Sequence, residues 1–198
     1  MKVKPVYIAT AIALLFHLSG VIGILWSAHA DWFIRHTPLN LLLMALLLIW
    51  VQPDKSWSFW LFTGMVFVVG MGAEITGVQT GNLFGSYHYG SIMGWQFAGV
   101  PLLIGINWVV VILCCAGWMQ LLHGWAEKKL GREGAVLPPR LASLSWVLDG
   151  ALLAVFFDWV MEPVALKLGF WTWSDAEIPV YNYSCWFLLS AALLYLNR

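Results

Sequence analysis

Apolar runs fill most of the chain, and polar positions fall mainly in short clusters between them. Six runs reach or approach the about 20 helical residues that cross a ~30 Å hydrocarbon core. They lie at 6–28, 38–52, 57–77, 99–122, 141–167 and 180–196, the second and sixth being the shortest. Unpaired backbone cannot face lipid, so the pattern predicts an all-α integral membrane protein. The expected architecture is one transmembrane domain over residues 1–198, a bundle of about six transmembrane helices. Lys2 and Lys4 before the first run resemble the flank of a signal peptide. The run is long and no small-residue cleavage site ends it, so it reads as a retained span. The 123–140 segment, with Lys128-Lys129, Gly131 and Pro138-Pro139, reads as a solvated connector.

Composition agrees with the pattern. Hydrophobic residues make up 61% of the chain, charged residues 10%, and the mean hydropathy is +0.80. Soluble domains run about 45–50% apolar and about 25% charged. A disordered chain, a nucleic-acid binder and an ordinary soluble domain are all excluded. The net charge of zero names no partner, but the placement of charges sets a topology. With the N-terminus inside, Lys2, Lys4, Lys55, Lys128, Lys129, Arg132, Arg140 and Arg198 lie on the inner side, and Arg35 and Lys167 on the outer. Eight against two predicts that both termini are cytoplasmic. Cys114, Cys115 and Cys185 show no metal-ligand spacing and read as buried, inert thiols. The five histidines form no metal-binding pattern either, and no G-x-G-x-x-G, phosphate-binding loop or nucleophile elbow appears, so neither a metal nor a cofactor is expected. His17 reads as a packing residue and His88 as an interfacial one.

The acids change the picture more. Glu74, Asp158 and Glu162 fall inside the runs, as does Asp149, with Lys167 the nearest base, at the very end of the fifth. A carboxylate at the centre of a spanning helix costs at least ~2.5–3.5 kcal/mol. A carboxyl withdrawn from water favours its neutral form and becomes a usable proton donor. At ~1.5 Å per residue, Glu74 lies about 5 Å below the outer end of its run, Glu162 about 8 Å, and Asp158 one turn deeper. Asn107 reaches about 12 Å from the same side. Asp158 and Glu162, four apart, share a helix face. Gly70, Glu74, Gly77 and Gly81 line one face of the third helix, which lets a neighbour approach closely. Pro163 is expected to kink the fifth helix. Asp149 is half a turn round from Asp158 and ~13 Å deeper, and is the weakest candidate.

An internal echo runs through the same region. Glu74, Tyr87-His88-Tyr89, Pro101 and Asn107-Trp108 are followed later by Glu162, Trp171-Thr172-Trp173, Pro179, Asn182 and Trp186. In both sets the Trp lies seven residues beyond the Pro. The order suggests two helical hairpins of like orientation, although gap lengths differ. The aromatics near 87–95, 108, 171–173 and 186, from a chain with fourteen Trp, are candidates to line a pocket that faces a transient cation.

These residues carry a resemblance. The string from Glu74 through Gly77, Gly81, Gly85, Tyr87 and Tyr89 to Gly90 resembles a signature of the carotenoid biosynthesis membrane proteins of bacteria and archaea. So do Pro101 to Asn107-Trp108, Asp158-Trp-Val-Met-Glu162-Pro163, Trp171-Thr-Trp173 and Pro179…Asn182…Trp186. Together they are similar to the CruF-type carotenoid 1,2-hydratases over residues 70–110 and 149–187. Ile178-Pro179 departs from the Gly expected before a short apolar residue and Pro.

The resemblance implies a bacterial or archaeal cell membrane and addition of water to the terminal double bond of an acyclic carotenoid, without a redox cofactor. Other carotenoid-pathway enzymes are candidate partners. In this chemistry Asp158 or Glu162 donates the proton and Glu74 orients water or acts as base. Asn107 and Asn182 hold the water, and Tyr87, Tyr89, Trp108, Trp171 and Trp173 belong to the substrate pocket. A carotenoid cyclase or isomerase, a proton-coupled transporter and a non-enzymatic carotenoid-binding protein remain alternatives.

Overall fold

The computed structural model describes residues 4–132, 138–175 and 177–198. Seven helices are described: α1 (Pro5–Trp26), α2 (Ala30–Arg35), α3 (Thr37–Val51), α4 (Trp57–Thr80), α5 (Leu102–Arg132), α6 (Pro139–Leu168) and α7 (Val180–Asn197). Six match the six apolar runs, and α1, α4, α5 and α6 are long and apolar enough to cross a membrane. This is the all-α membrane fold that the hydropathy pattern predicts. The short α2 has no counterpart in that pattern, because six residues between two runs carry no periodicity of their own.

Local chemistry explains most boundaries. Proline at the first turn opens α1, α3 and α6, where its missing N–H is not needed. The Ser56 side chain caps α4 by accepting from Phe59 N–H. Gly81 and Gly169 end α4 and α6 in the left-handed conformation, with φ of 68° and 73°, which glycine adopts without Cβ strain. Pro163 lies within α6, which continues for one more turn beyond it.

Two expectations change. The 123–140 segment is helical at both ends, α5 running on to Arg132 and α6 starting at Pro139. Polar side chains on the exposed surface of a helix read like a loop when its apolar core has ended. Residues 133–137, and Lys2 of the charge count, lie outside the described residues. At 31 and 30 residues, α5 and α6 span about 45 Å, more than the hydrocarbon core needs. About twenty residues counted back from Leu168 reach Asp149. That acid is half exposed and accepts from Ser145 Oγ at 2.8 Å, with His123 Nε2 at 3.2 Å. Asp149 is thus exposed on the surface of α6, and among the described residues three acids, Glu74, Asp158 and Glu162, are buried. The other change concerns the thiols: Cys115 and Cys185 are buried, but Cys114 is exposed on the outside of α5.

The segments at the other end of these helices are extended. β1 (Tyr87–Tyr89) pairs antiparallel with β4 (Trp171–Trp173), while β2 (Gln96–Phe97) and β3 (Val100–Pro101) form a second small ribbon. The first ribbon joins the connection after α4 to the connection after α6. The buried core runs beneath it, from Phe84, Trp108 and Trp186 down to Ile112, Trp146 and Leu194.

Candidate active site

The register of the first ribbon sets the site. Tyr87 pairs with Trp173, His88 with Thr172, and Tyr89 with Trp171. Side chains alternate across a strand, so four aromatics turn inward, while exposed His88 and Thr172 meet on the outer side at 2.7 Å. Tyr87 and Trp173 ring centroids are 5.0 Å apart, those of Tyr89 and Trp171 5.9 Å. Three residue pairs make a marginal ribbon alone. It is held because its aromatic heads are tied to two buried glutamates.

Glu74, on α4, accepts from Tyr87 Oη at 2.6 Å and Tyr89 Oη at 2.7 Å through Oε2, and from Trp108 Nε1 at 2.9 Å through Oε1. Hydrogen bonds contribute about 0.5–1.5 kcal/mol each to a neutral acceptor and about 1.5–3 to a charged one, so three donors together offset part of the cost of burying this carboxyl. Burial first, then the Glu74 charge, pushes the Tyr87 and Tyr89 phenols well above their ordinary range, so both stay protonated and donate. Glu162, on α6, accepts from Trp171 Nε1 at 3.0 Å and Trp173 Nε1 at 2.9 Å, both through Oε2. One turn before it, Asp158 Oδ2 accepts from Asn182 Nδ2 of α7 at 2.7 Å. Asp158 Oδ1 and Glu162 Oε1 receive no hydrogen bond from the described residues.

Glu74, Tyr87, Tyr89, Asn107, Asp158, Glu162, Trp171, Trp173 and Asn182 all line one cavity, with about 30 Å³ open to the centres of water molecules. That is room for one or two waters. Trp108 does not line it; it stands behind Glu74, stacked on Trp186. Asp149 faces elsewhere, and His17 bonds the carbonyl of Ala13 in its own helix at 2.8 Å. Among the described residues no three His, Cys, Asp or Glu side chains are grouped to hold a metal.

The lining also includes Trp186, already among the candidate pocket aromatics, and Phe84, Ile104 and Met161, to which no role was assigned. Trp186 had a signal, its place in the echo. Phe84 had none: it holds φ at 65°, an uncommon conformation for an aromatic residue. It is kept there by burial of its ring between Tyr87 and Trp108.

The echo is structural. The two hairpins, α4–α5 and α6–α7, meet with β1 against β4 and Trp108 against Trp186, as an approximate local two-fold would place them. In each, the glycine that ends the helix lies seven positions beyond the glutamate.

A family model described as carotenoid biosynthesis protein matches residues 36–198. The chain belongs to the carotenoid biosynthesis protein family. The match takes in both hairpins, the ribbon and every residue of the cavity, and leaves α1 and α2 outside it. No curated protein and no solved structure matches the chain.

Proposed function

We propose that the chain is a hydro-lyase that adds water to the terminal double bond of an acyclic carotenoid end group, without a cofactor, as its resemblance to CruF-type hydratases implies. The observation that carries this reading is a water-sized cavity lined by Asp158 and Glu162, each of which keeps one oxygen without a hydrogen bond from the described residues. The Asp158–Glu162 pair delivers a proton to the less substituted alkene carbon. The new C–H bond uses the alkene π electrons and leaves a tertiary cation. Water in the cavity, held by Asn107 and Asn182, attacks that cation through oxygen. The second proton of this water returns to the carboxylate pair, so the acid is restored and the net change is addition of one water. The carboxylate charges and the faces of Tyr87, Tyr89, Trp171 and Trp173 stabilise the cation in a site where water is scarce.

A polyene dissolved in lipid reaches the cavity sideways. Asn107 on α5 and Met161 on α6 are the half-buried helical members of the lining and mark the entry side. The proposed topology has both termini in the cytoplasm and the ribbon at the outer face of a bacterial or archaeal membrane, where other carotenoid-pathway enzymes would supply the substrate.

The experiment is expression in a host that makes an acyclic carotenoid, followed by mass analysis of the pigments in ordinary and ¹⁸O-labelled water. The expected product is heavier by one water per modified end and carries the label. A cyclised product of unchanged mass, oxygen drawn from O₂, or unaltered bound pigment overturns the proposal.

A further inference from the structure

The two hairpins differ at the positions that matter for proton transfer. Aligned on their glutamates, Gly70 of α4 occupies the place of Asp158 in α6, four residues before the acid. Aligned on their prolines, Ile104 of α5 occupies the place of Asn182 in α7. The Asp158–Asn182 hydrogen bond therefore has no counterpart in the first hairpin.

Packing explains how each version is accommodated. A Cβ at Gly70 would lie 2.6 Å from the Trp108 ring, so the absent side chain is the space Trp108 uses to reach Glu74. In the second hairpin that space is taken by Asp158. Trp186 stacks on Trp108 with centroids 4.0 Å apart and planes 15° from parallel, yet makes no hydrogen bond to Glu162. The outcome is one closed half-site and one open one. Both oxygens of Glu74 are engaged by three donors. Asp158 and Glu162 are each engaged through one oxygen only.

We infer that the broken symmetry divides the labour: Glu74 is a positioning residue, and the Asp158–Glu162 side, set by Asn182, handles the proton. Glu74 holds Tyr87 and Tyr89, and through β1 it fixes the ribbon over the substrate pocket. Three donors leave Glu74 one acceptor site, on Oε1 beside Trp108, so a proton taken there would weaken the hydrogen bonds that hold the ribbon. On the other side, the free oxygens accept and return a proton with no donor displaced. This assignment rests on the hydration reading and narrows the role of Glu74 from base to anchor.

The test compares Glu74→Gln, Asp158→Asn and the double variant Tyr87→Phe/Tyr89→Phe in liposomes loaded with the carotenoid accepted by the unaltered protein. Asp158→Asn is expected to lower kcat by about 10²–10⁴-fold, the range of a general acid, with KM little changed. Glu74→Gln is expected to raise KM roughly 10-fold with kcat largely retained, as loss of substrate positioning does. The double Phe variant should reproduce that KM effect with the carboxylate intact, so it keeps the test informative if Glu74→Gln fails to fold. A kcat loss for Glu74→Gln equal to that of Asp158→Asn, at unchanged KM, overturns the inference. So does a double Phe variant with wild-type KM. Absence of hydration by the unaltered protein is a separate result, and it overturns the functional reading itself.

Discussion

Trp108 and Trp186 lie face to face, ring centroids 4.0 Å apart and planes within 15° of parallel, although they come from different hairpins. Both are buried, and only Trp108 spends its N–H on a carboxylate. Conservative replacement should separate these contributions. Trp108→Phe loses the donor to Glu74 as well as stacking area, and should cost about 1.5–3 kcal/mol more than Trp186→Phe. Thermal unfolding in detergent checks the ranking. Equal losses would mean that the hydrogen bond to Glu74 adds nothing to stability.

Gly70 makes a sharper case. Adding one methyl group there places it against the Trp108 ring, and overpacking of this kind costs typically ~1–3 kcal/mol. Gly70→Ala should lower the unfolding temperature and displace Trp108 from Glu74, visible as a shift in tryptophan emission. Gly72→Ala, where an added methyl would meet nothing within 4 Å, is the control that should behave as the unaltered protein.

His88 and Thr172 face away from the cavity. Changing either to Ala should leave pigment conversion within about 2-fold, since exposed substitutions away from such features seldom exceed ±0.5 kcal/mol. A collapse of conversion in His88→Ala would instead establish a proton route through the outer face of the ribbon.

Asp149 should behave as a boundary residue. Asp149→Asn should change stability by less than ~1 kcal/mol, as exposed ion pairs do, and leave product formation intact. In a chain freed of its three cysteines, a cysteine at 149 should react with a membrane-impermeant maleimide added from the inner side. One at Phe156, exposed on the same helix nearer the ribbon, should not. Reaction of both would place the hydrocarbon boundary elsewhere.

The helices were legible because the runs that build them are continuous, and Glu74, Asp158 and Glu162 stood out because lipid makes carboxylates conspicuous. The pairing of Tyr87 with Trp173 was not legible. It joins positions far apart in the chain through three-residue strands, too short to impose a pattern of their own. The echo of aromatic triplets hinted at the relationship without giving register or direction. Asp149 looks like the other three acids in the hydropathy pattern, which does not reveal that it is exposed beside Ser145 and His123 while they are buried. Phe84 and Ile104 could not be singled out, since an apolar residue lining a small cavity looks like any other in so apolar a chain. Asn107 and Asn182 both line the cavity, but only the structure distinguishes the one that bonds Asp158.

Each buried acid finds its donors within its own hairpin. Tyr87, Tyr89 and Trp108 follow Glu74 before α5 is complete, and Trp171, Trp173 and Asn182 follow Asp158 and Glu162 before the end of α7. During synthesis, each pair of helices can therefore leave the insertion machinery with its carboxyl groups already covered. The ribbon and the Trp108–Trp186 stack need only lock two finished pieces together. A chain stopped after α5 should thus insert stably while lacking any reaction centre, its polar cargo concealed from the lipid until the second half arrives.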